Sequence, residues 1–530
     1  MIRRLIAFGI ACAWLAGCGG RASGPVNPIP PAAAVPSVEG DSNVNELPEP
    51  PVVRAVHGVA KLALTAVIDP ATGLPTFDYE NSQAVIPTIS INPGESFEVD
   101  VTDDLMPSAG MAAEVNLHFH GLGVSPMKPG DDVLGMVAKP GQTLHYVVHI
   151  PRNQEPGLYW YHAHIHGETS YQVGEGGMSG ALIVQGLEQH IPELAKMRHR
   201  LIIFRATGIG VNAPADDADV DESAPMGSTM GGMQKMHALN SNTAPCTTKD
   251  GLIPSLNGAY RPVITIAPGE RQFFRVVNAS GHKTLRLNIQ GEKLEVVAID
   301  GFALDTNPGT PPTLTESSVI IPPAGRAEFV ATGPKTGRAK LRTLCYDSGP
   351  NGDPDPYLWL GSLVQPGGKH HGGDFSTRPL TVGAPLPRNA YTMALPAPAA
   401  KRLVVFSEDN QPHFFINGKS FSIKAPPMFV VHSGTVEEWR VVNVTQEIHD
   451  FHIHQIHFLV ESINGVKVEH PHWADTAIVP HRSAEGKKGV PGSIVLLMDF
   501  RDPIIRGTFV FHCHILDHED QGMMAKIQAI

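Results

Sequence analysis

The chain has 530 residues, too many for one compact core, and its length fits roughly three domains of about 100 to 200 residues each. A net charge of −12, with the acidic residues dispersed, argues against nucleic acid or an anionic membrane surface as a partner. Its 53 glycines and 47 prolines punctuate many short apolar runs, a pattern of strands and turns rather than of long helices.

In chain order, Arg3 and Arg4 precede an apolar run from Leu5 to Leu15 and then Leu15-Ala16-Gly17-Cys18. The run is too short to span a bilayer, and the layout is that of a secretory signal over residues 1–17. The Leu-Ala-Gly-Cys ending resembles a bacterial lipobox, which implies cleavage before Cys18 and a lipid on that cysteine. The other reading is an ordinary signal with an incidental cysteine. Gly19 beside it is similar to lipoproteins of the outer membrane, so the expected location is the periplasmic cell envelope, with membrane contact only through Cys18. Residues 18–51, with eight prolines, read as a semi-rigid tether.

From residue 52 to 190 come short β-like runs, Lys61–Ile68, Ser96–Val101, Glu114–Phe119, Leu144–Ile150 and Ala181–Val184, with no convincing amphipathic helix. Similar patterns over 195–365 and 399–530, joined by a Gly/Pro-rich linker at 366–398, give three tandem β-domains of sandwich or barrel type. The openings Ile89-Ser90-Ile91-Asn92-Pro93-Gly94-Glu95 and Ile264-Thr265-Ile266-Ala267-Pro268-Gly269-Glu270 look alike, with a weaker echo at Val430–Thr435, and suggest internal duplication.

The first domain carries His118-Phe119-His120 and His162-Ala163-His164. Residues at i and i+2 of a strand share a face, so each pair presents two imidazoles side by side. The second domain has no such pair. It carries Met226, Met230, Met233 and Met236 in a Gly-rich segment, either a Cu(I)-binding loop or a tolerated insertion. Cys246 and Cys345 are a disulfide or two free thiols. The third domain supplies His452-Ile453-His454, with His449 three residues before.

The densest stretch is His512-Cys513-His514, followed by His518 and Met523. Two histidines, a thiolate and a weak thioether make a blue-copper site, because sulfur suits Cu(I) and imidazole suits both oxidation states. Extension through His514 turns His512 and His514 to one face and Cys513 to the other, so one three-residue piece serves two metal centres.

These motifs, all present and in order, resemble the three-domain multicopper oxidases, the group of laccases, bilirubin oxidases and bacterial copper-efflux oxidases. The resemblance covers about residues 52–530. It implies an all-β fold of three tandem cupredoxin-like Greek-key sandwiches and a cofactor of four copper ions. By resemblance, a type 1 copper is held by His449, Cys513, His518 and Met523, and a type 2 copper by His118 and His452. The type 3 pair takes His120, His162, His164, His454, His512 and His514. The implied activity is one-electron oxidation of a phenolic or metal-ion reductant at the type 1 copper, coupled through Cys513 and its histidine neighbours to four-electron reduction of O2 to water. Glu519 resembles the family's proton-relay acid; Asp131 or Asp132 is its candidate companion, or a solvated turn. Asp475 is a candidate hydrogen-bond partner for a ligand imidazole. A monomer is expected. The alternatives are a cuprous oxidase serving copper detoxification or a non-catalytic copper-binding envelope protein on the same scaffold. Two features depart from the family: Asp450 stands where a proline is common, and the methionine-rich segment lies in the second domain rather than the third, although residues 162–178 resemble copper-efflux oxidases more than fungal laccases.

Overall fold

The computed structural model describes residues 45–530 except 81–85, 107–112, 210–251, 368–373, 375, 384–390, 410, 412 and 484–488. The expected signal, Cys18, the Met226–Met236 segment and Cys246 therefore lie outside the described residues. Cys345 is disulfide-bonded. Among the described residues no helix is long and apolar enough to cross a membrane.

Three pairs of β-sheets follow one another along the chain. In the first pair, a sheet ordered Val52–Arg54, Thr88–Ile91, Ser179–Val184, Gly157–His162, His118–His120 faces one ordered Pro75–Asp78, Val59–Ile68, Ser96–Asp103, Thr143–His149. Alternation sets the facing. Ala60, Leu62, Leu64 and Ala66 point inward from one strand and Phe97, Val99 and Val101 from its neighbour, and they share a core with Phe119, Tyr146 and Leu182. Each of the leucines, valines and phenylalanines among them contributes about 1.5–3 kcal/mol when fully buried.

The suspected duplication is visible in the topology. Thr88–Ile91 pairs in parallel with Ser179–Val184, Val263–Thr265 with Leu358–Val364, and Phe429–Val431 with Met524–Ala529. The turns that follow the first two are closed in the same way, Glu95 accepting from Asn92 N and Glu270 from Ala267 N.

Strands between sandwiches are buried on both faces. Gly157–His162 and Arg271–Asn278 are buried at every position, and Val277, Ala279, Ala324 and Leu516 from later modules join the first core. A Cβ on Gly157 would lie 2.5 Å from the carbonyl oxygen of Gly301 in the second sheet pair. Gly157→Ala is therefore expected to destabilise the protein by about 1–3 kcal/mol, read as a lowered denaturation midpoint.

Two local expectations shift. Of Glu114–Phe119 only the end forms a strand, His118–His120, because Asn116 uses its side chain to bond the backbone of His164 and Val133. The end of the expected tether is also structured: Leu47 N donates to Val263 O, and Val263 N to Asn45 O.

Candidate metal centres

Eight buried histidines meet where the first and third sheet pairs touch. The strand His118–His120 is antiparallel to Gly157–His162 with His118 opposite His162, and His449–Ile453 is antiparallel to Gly507–Cys513 with His452 opposite His512. Across the junction His118 stacks on His454 at 3.6 Å between ring centroids, and His120 on His452 at 3.9 Å. The Nε2 atom of His512 lies 3.4 Å from that of His164 and 3.3 Å from that of His454. His514 completes the group, 5.2 Å from His120 and 5.5 Å from His162 between centroids.

The donor atoms fit a metal. In five rings one nitrogen is anchored: His118 Nδ1 by Asp131 at 2.9 Å, His162 Nδ1 by Ala163 O at 2.8 Å, His452 Nδ1 by Asp475 O at 2.8 Å, His512 Nδ1 by Cys513 O at 3.0 Å, and His120 Nε2 by Asp475 Oδ1 at 3.1 Å. The opposite nitrogens of His118, His120, His162 and His452 are buried with no hydrogen-bond partner. Each such atom costs about 1–3 kcal/mol in a protein interior unless something satisfies it. Burial first, and then the neighbouring imidazoles, hold His118, His162, His454 and His514 well below the usual histidine pKa. They are neutral at neutral pH, the form that ligates a metal.

A second, smaller group lies within the third sheet pair. Cys513 Sγ is 3.6 Å from His449 Nδ1 and 3.7 Å from His518 Nδ1, and the two Nδ1 atoms are 3.0 Å apart. Their far nitrogens are braced, His449 Nε2 by Thr445 Oγ1 at 3.0 Å and His518 Nε2 beside Glu447 Oε1 at 3.6 Å. Met523 is buried, and its backbone bonds to Cys513 and His518 keep it at this group. The expected extension through His514 stops at Cys513, and the short helix Leu516–Asp520 then returns His518 to the cysteine. The facing holds nonetheless: Cys513 turns to this group, and His512 and His514 to the eight-histidine cluster.

The acids divide. Glu519 Oε2 lies 3.0 Å from His512 Nδ1 and Oε1 lies 3.6 Å from His164 Nδ1. Burial opposes its ionisation, but His512 and His164 hold it down at about 2. Asp131 is buried against His118 and also accepts from Phe119 N and from Gln455 Nε2. Asp132 is not brought to the cluster; its carboxylate caps the turn at Leu134 N and Gly135 N. Asp475 holds His120 through its side chain and His452 through its carbonyl. Burial opposes its ionisation, yet Arg326 beside it, and then His120, keep it well below the usual carboxylate range. Sequence reasoning missed Arg326, Gln455, Thr445 and Glu447. No spacing marks Arg326, which lies in the second sheet pair. Gln455 directly follows a motif histidine, and its φ of +61° turns the chain back toward Asp131.

Family models described as multicopper oxidase match residues 71–189, 213–334 and 395–529. A multicopper oxidase of Staphylococcus aureus is 24% identical over 460 residues, covering 84% of this chain and 83% of that protein. A laccase of Bacillus subtilis is 23% identical over 411 residues, 71% of each chain. Among solved structures, a Campylobacter jejuni multicopper oxidase described as a metallo-oxidase aligns with a TM-score of 0.65 at 21% identity, covering 92% of this chain and 98% of its own. One from Aquifex aeolicus aligns with a TM-score of 0.67 at 19% identity, covering 92% and 100%. The three sheet pairs are thus the cupredoxin-like sandwiches that the resemblance implied, and the histidine clusters are compatible with copper sites. The chain belongs to the multicopper oxidase family, and it is an oxidoreductase that takes copper as cofactor and uses O2 with a reductant.

Proposed function

We propose that the protein couples one-electron oxidation of a small phenolic or metal-ion reductant at His449, Cys513, His518 and Met523 to four-electron reduction of O2 to water at the eight histidines. The observation that carries this reading is the convergence of buried, unpartnered imidazole nitrogens from two sandwiches, one covalent step from Cys513. In this reading His118 and His452 hold a type 2 copper, and His120, His162, His164, His454, His512 and His514 a type 3 pair. The bound coppers supply storage of four electrons and a binding place for both atoms of O2.

The chain's own residues do the rest. Asp131, Asp475 and the carbonyls of Ala163 and Cys513 fix the rings with one nitrogen facing inward, the outer bracing that metal-binding histidines need. Glu519 accepts and delivers protons beside His512 and His164, with Asp131 as the companion acid at His118. Burial of the whole cluster excludes bulk water. On the reductant side, a recess of about 420 Å³ lined by Asn351, Glu408, Asp409, Thr445, Gln446 and Arg482 adjoins His449 through Thr445. It is the entry we assign to the reductant. Export and a lipid on Cys18 complete the proposal and rest on the N-terminal sequence.

Copper-loaded protein should be blue, carry copper in both centres by metal analysis, and consume O2 with a phenol or with Cu(I). A folded, copper-replete protein that is colourless or leaves O2 untouched would overturn the reading.

A further inference from the structure

The Arg326 guanidinium is fully buried and every one of its five N–H groups has an acceptor. Nε donates to Leu158 O at 3.3 Å, Nη1 to Ala324 O at 3.2 Å and Asp475 Oδ1 at 2.7 Å, and Nη2 to Asp300 O at 2.9 Å and Asp475 Oδ2 at 2.6 Å. Leu158 belongs to the strand that ends in His162, Ala324 and Asp300 to the second sheet pair, and Asp475 to the third.

We propose that Arg326 is a positioning residue for the eight-histidine cluster, locking Asp475 and through it the rings of His120 and His452. One histidine from the first sandwich and one from the third are thereby set by a side chain of the second, the module that supplies none of the eight. Asp475 Oδ1 takes His120 Nε2, which leaves the buried Nδ1 of His120 for the cluster, and Asp475 O takes His452 Nδ1, which leaves Nε2. The fit is tight on the cluster side. Gly121, directly after His120, has φ +85°, and a Cβ there would lie 2.5 Å from Arg326 Nη2 and 2.6 Å from Asp475 Oδ2. Only a planar, two-pronged donor grips both carboxylate oxygens while reaching three carbonyls, so lysine cannot replace the fork.

This inference rests on the copper reading above, and its test separates the two. Copper-loaded Arg326→Gln and Arg326→Lys are compared with the unsubstituted protein by copper content, the EPR signal of the non-blue copper, the blue absorption and O2 uptake. The expected result is an unchanged blue absorption and an unchanged anaerobic reduction of the blue centre. The non-blue EPR signal is altered or lost, and O2 uptake falls by about 10- to 100-fold. Unchanged non-blue signal and O2 uptake in R326Q overturn the proposal. So does equal damage to both centres, the mark of a general loosening of the junction. Should R326Q not fold, R326K decides, since it keeps the charge and loses the fork; an unchanged signal there overturns the proposal too. A non-blue signal missing from the unsubstituted protein overturns the copper reading itself.

Discussion

Replacing Cys513 with serine is expected to bleach the copper-loaded protein and lower its O2 uptake on the order of 10³-fold or more, about 4 kcal/mol of barrier. The sulfur is 3.6 and 3.7 Å from the two Nδ1 atoms of its group and is the only thiolate donor near either centre among the described residues. A serine oxygen fills nearly the same space, but it is a hard, protonated donor that suits copper poorly. Without metal, burial pushes the Cys513 thiol well above its usual pKa, so the side chain packs there as a small apolar group. A hydroxyl buried in place of that group should cost the copper-free variant about 1–3 kcal/mol of stability. Copper at the eight histidines should remain, because none of those side chains is changed. Absorption, O2 uptake, metal content and the denaturation midpoint of the copper-free protein read the four effects separately, and a C513S protein that stayed blue or kept its O2 uptake would remove Cys513 from the role given to it.

That variant probes what was legible in the sequence, and the reason it was legible is local. A strand repeats every two residues, so His118 with His120, His452 with His454, and the split of Cys513 from His512 and His514 follow from spacing alone. Their convergence needed more. His120 and His452 stack across a junction of two sandwiches, and the ring that each presents is fixed by Asp475, which Arg326 holds from a third. The contacts of Asp475 with Arg326 and His120 join residues 149 and 355 positions apart, that with His452 spans 23, and none leaves a periodicity to read. Asp131 and Asp132 show the same limit at close range. Adjacent in sequence, they point to different surroundings, one to His118 and the other to a turn, and only the fold around Phe119 and Gln455 decides which. The strand read over Glu114–Phe119 was shortened by a polar side chain, since Asn116 bonds backbone groups directly and holds the first histidine pair against the second.

Glu519→Gln is expected to slow O2 uptake by about 10²- to 10⁴-fold, the range for loss of a positioned proton-transfer group. Copper content, blue absorption and anaerobic reduction of the blue centre should not change. Making water from O2 consumes as many protons as electrons, and Glu519 is the buried carboxylate that reaches both His512, at 3.0 Å, and His164, at 3.6 Å. Thr169 Oγ1 donates to its Oε1 at 3.3 Å, a contact that glutamine keeps through its own oxygen. Glutamine therefore preserves the shape and removes the ability to carry a proton. The neighbouring Asp520 is the control. It accepts from Gly167 N and Thr169 N at Oδ1 and from Ser170 N at Oδ2, and burial, followed by the charge of Glu519, pushes it up to about 8; Asp520→Asn should keep the two bonds to its single oxygen, lose the one from Ser170 N, and retain most of the O2 uptake. Acid titration gives an independent reading on copper-free protein. A carboxylate whose folded pKa is about 2, against 4.5 ordinarily, contributes stability that is present above 4.5 and lost as pH falls toward 2. In E519Q that part of the pH dependence should disappear. An E519Q protein with full O2 uptake, or one whose blue centre is reduced more slowly under argon, would show that protons reach the cluster by another route or that the residue serves the reductant side.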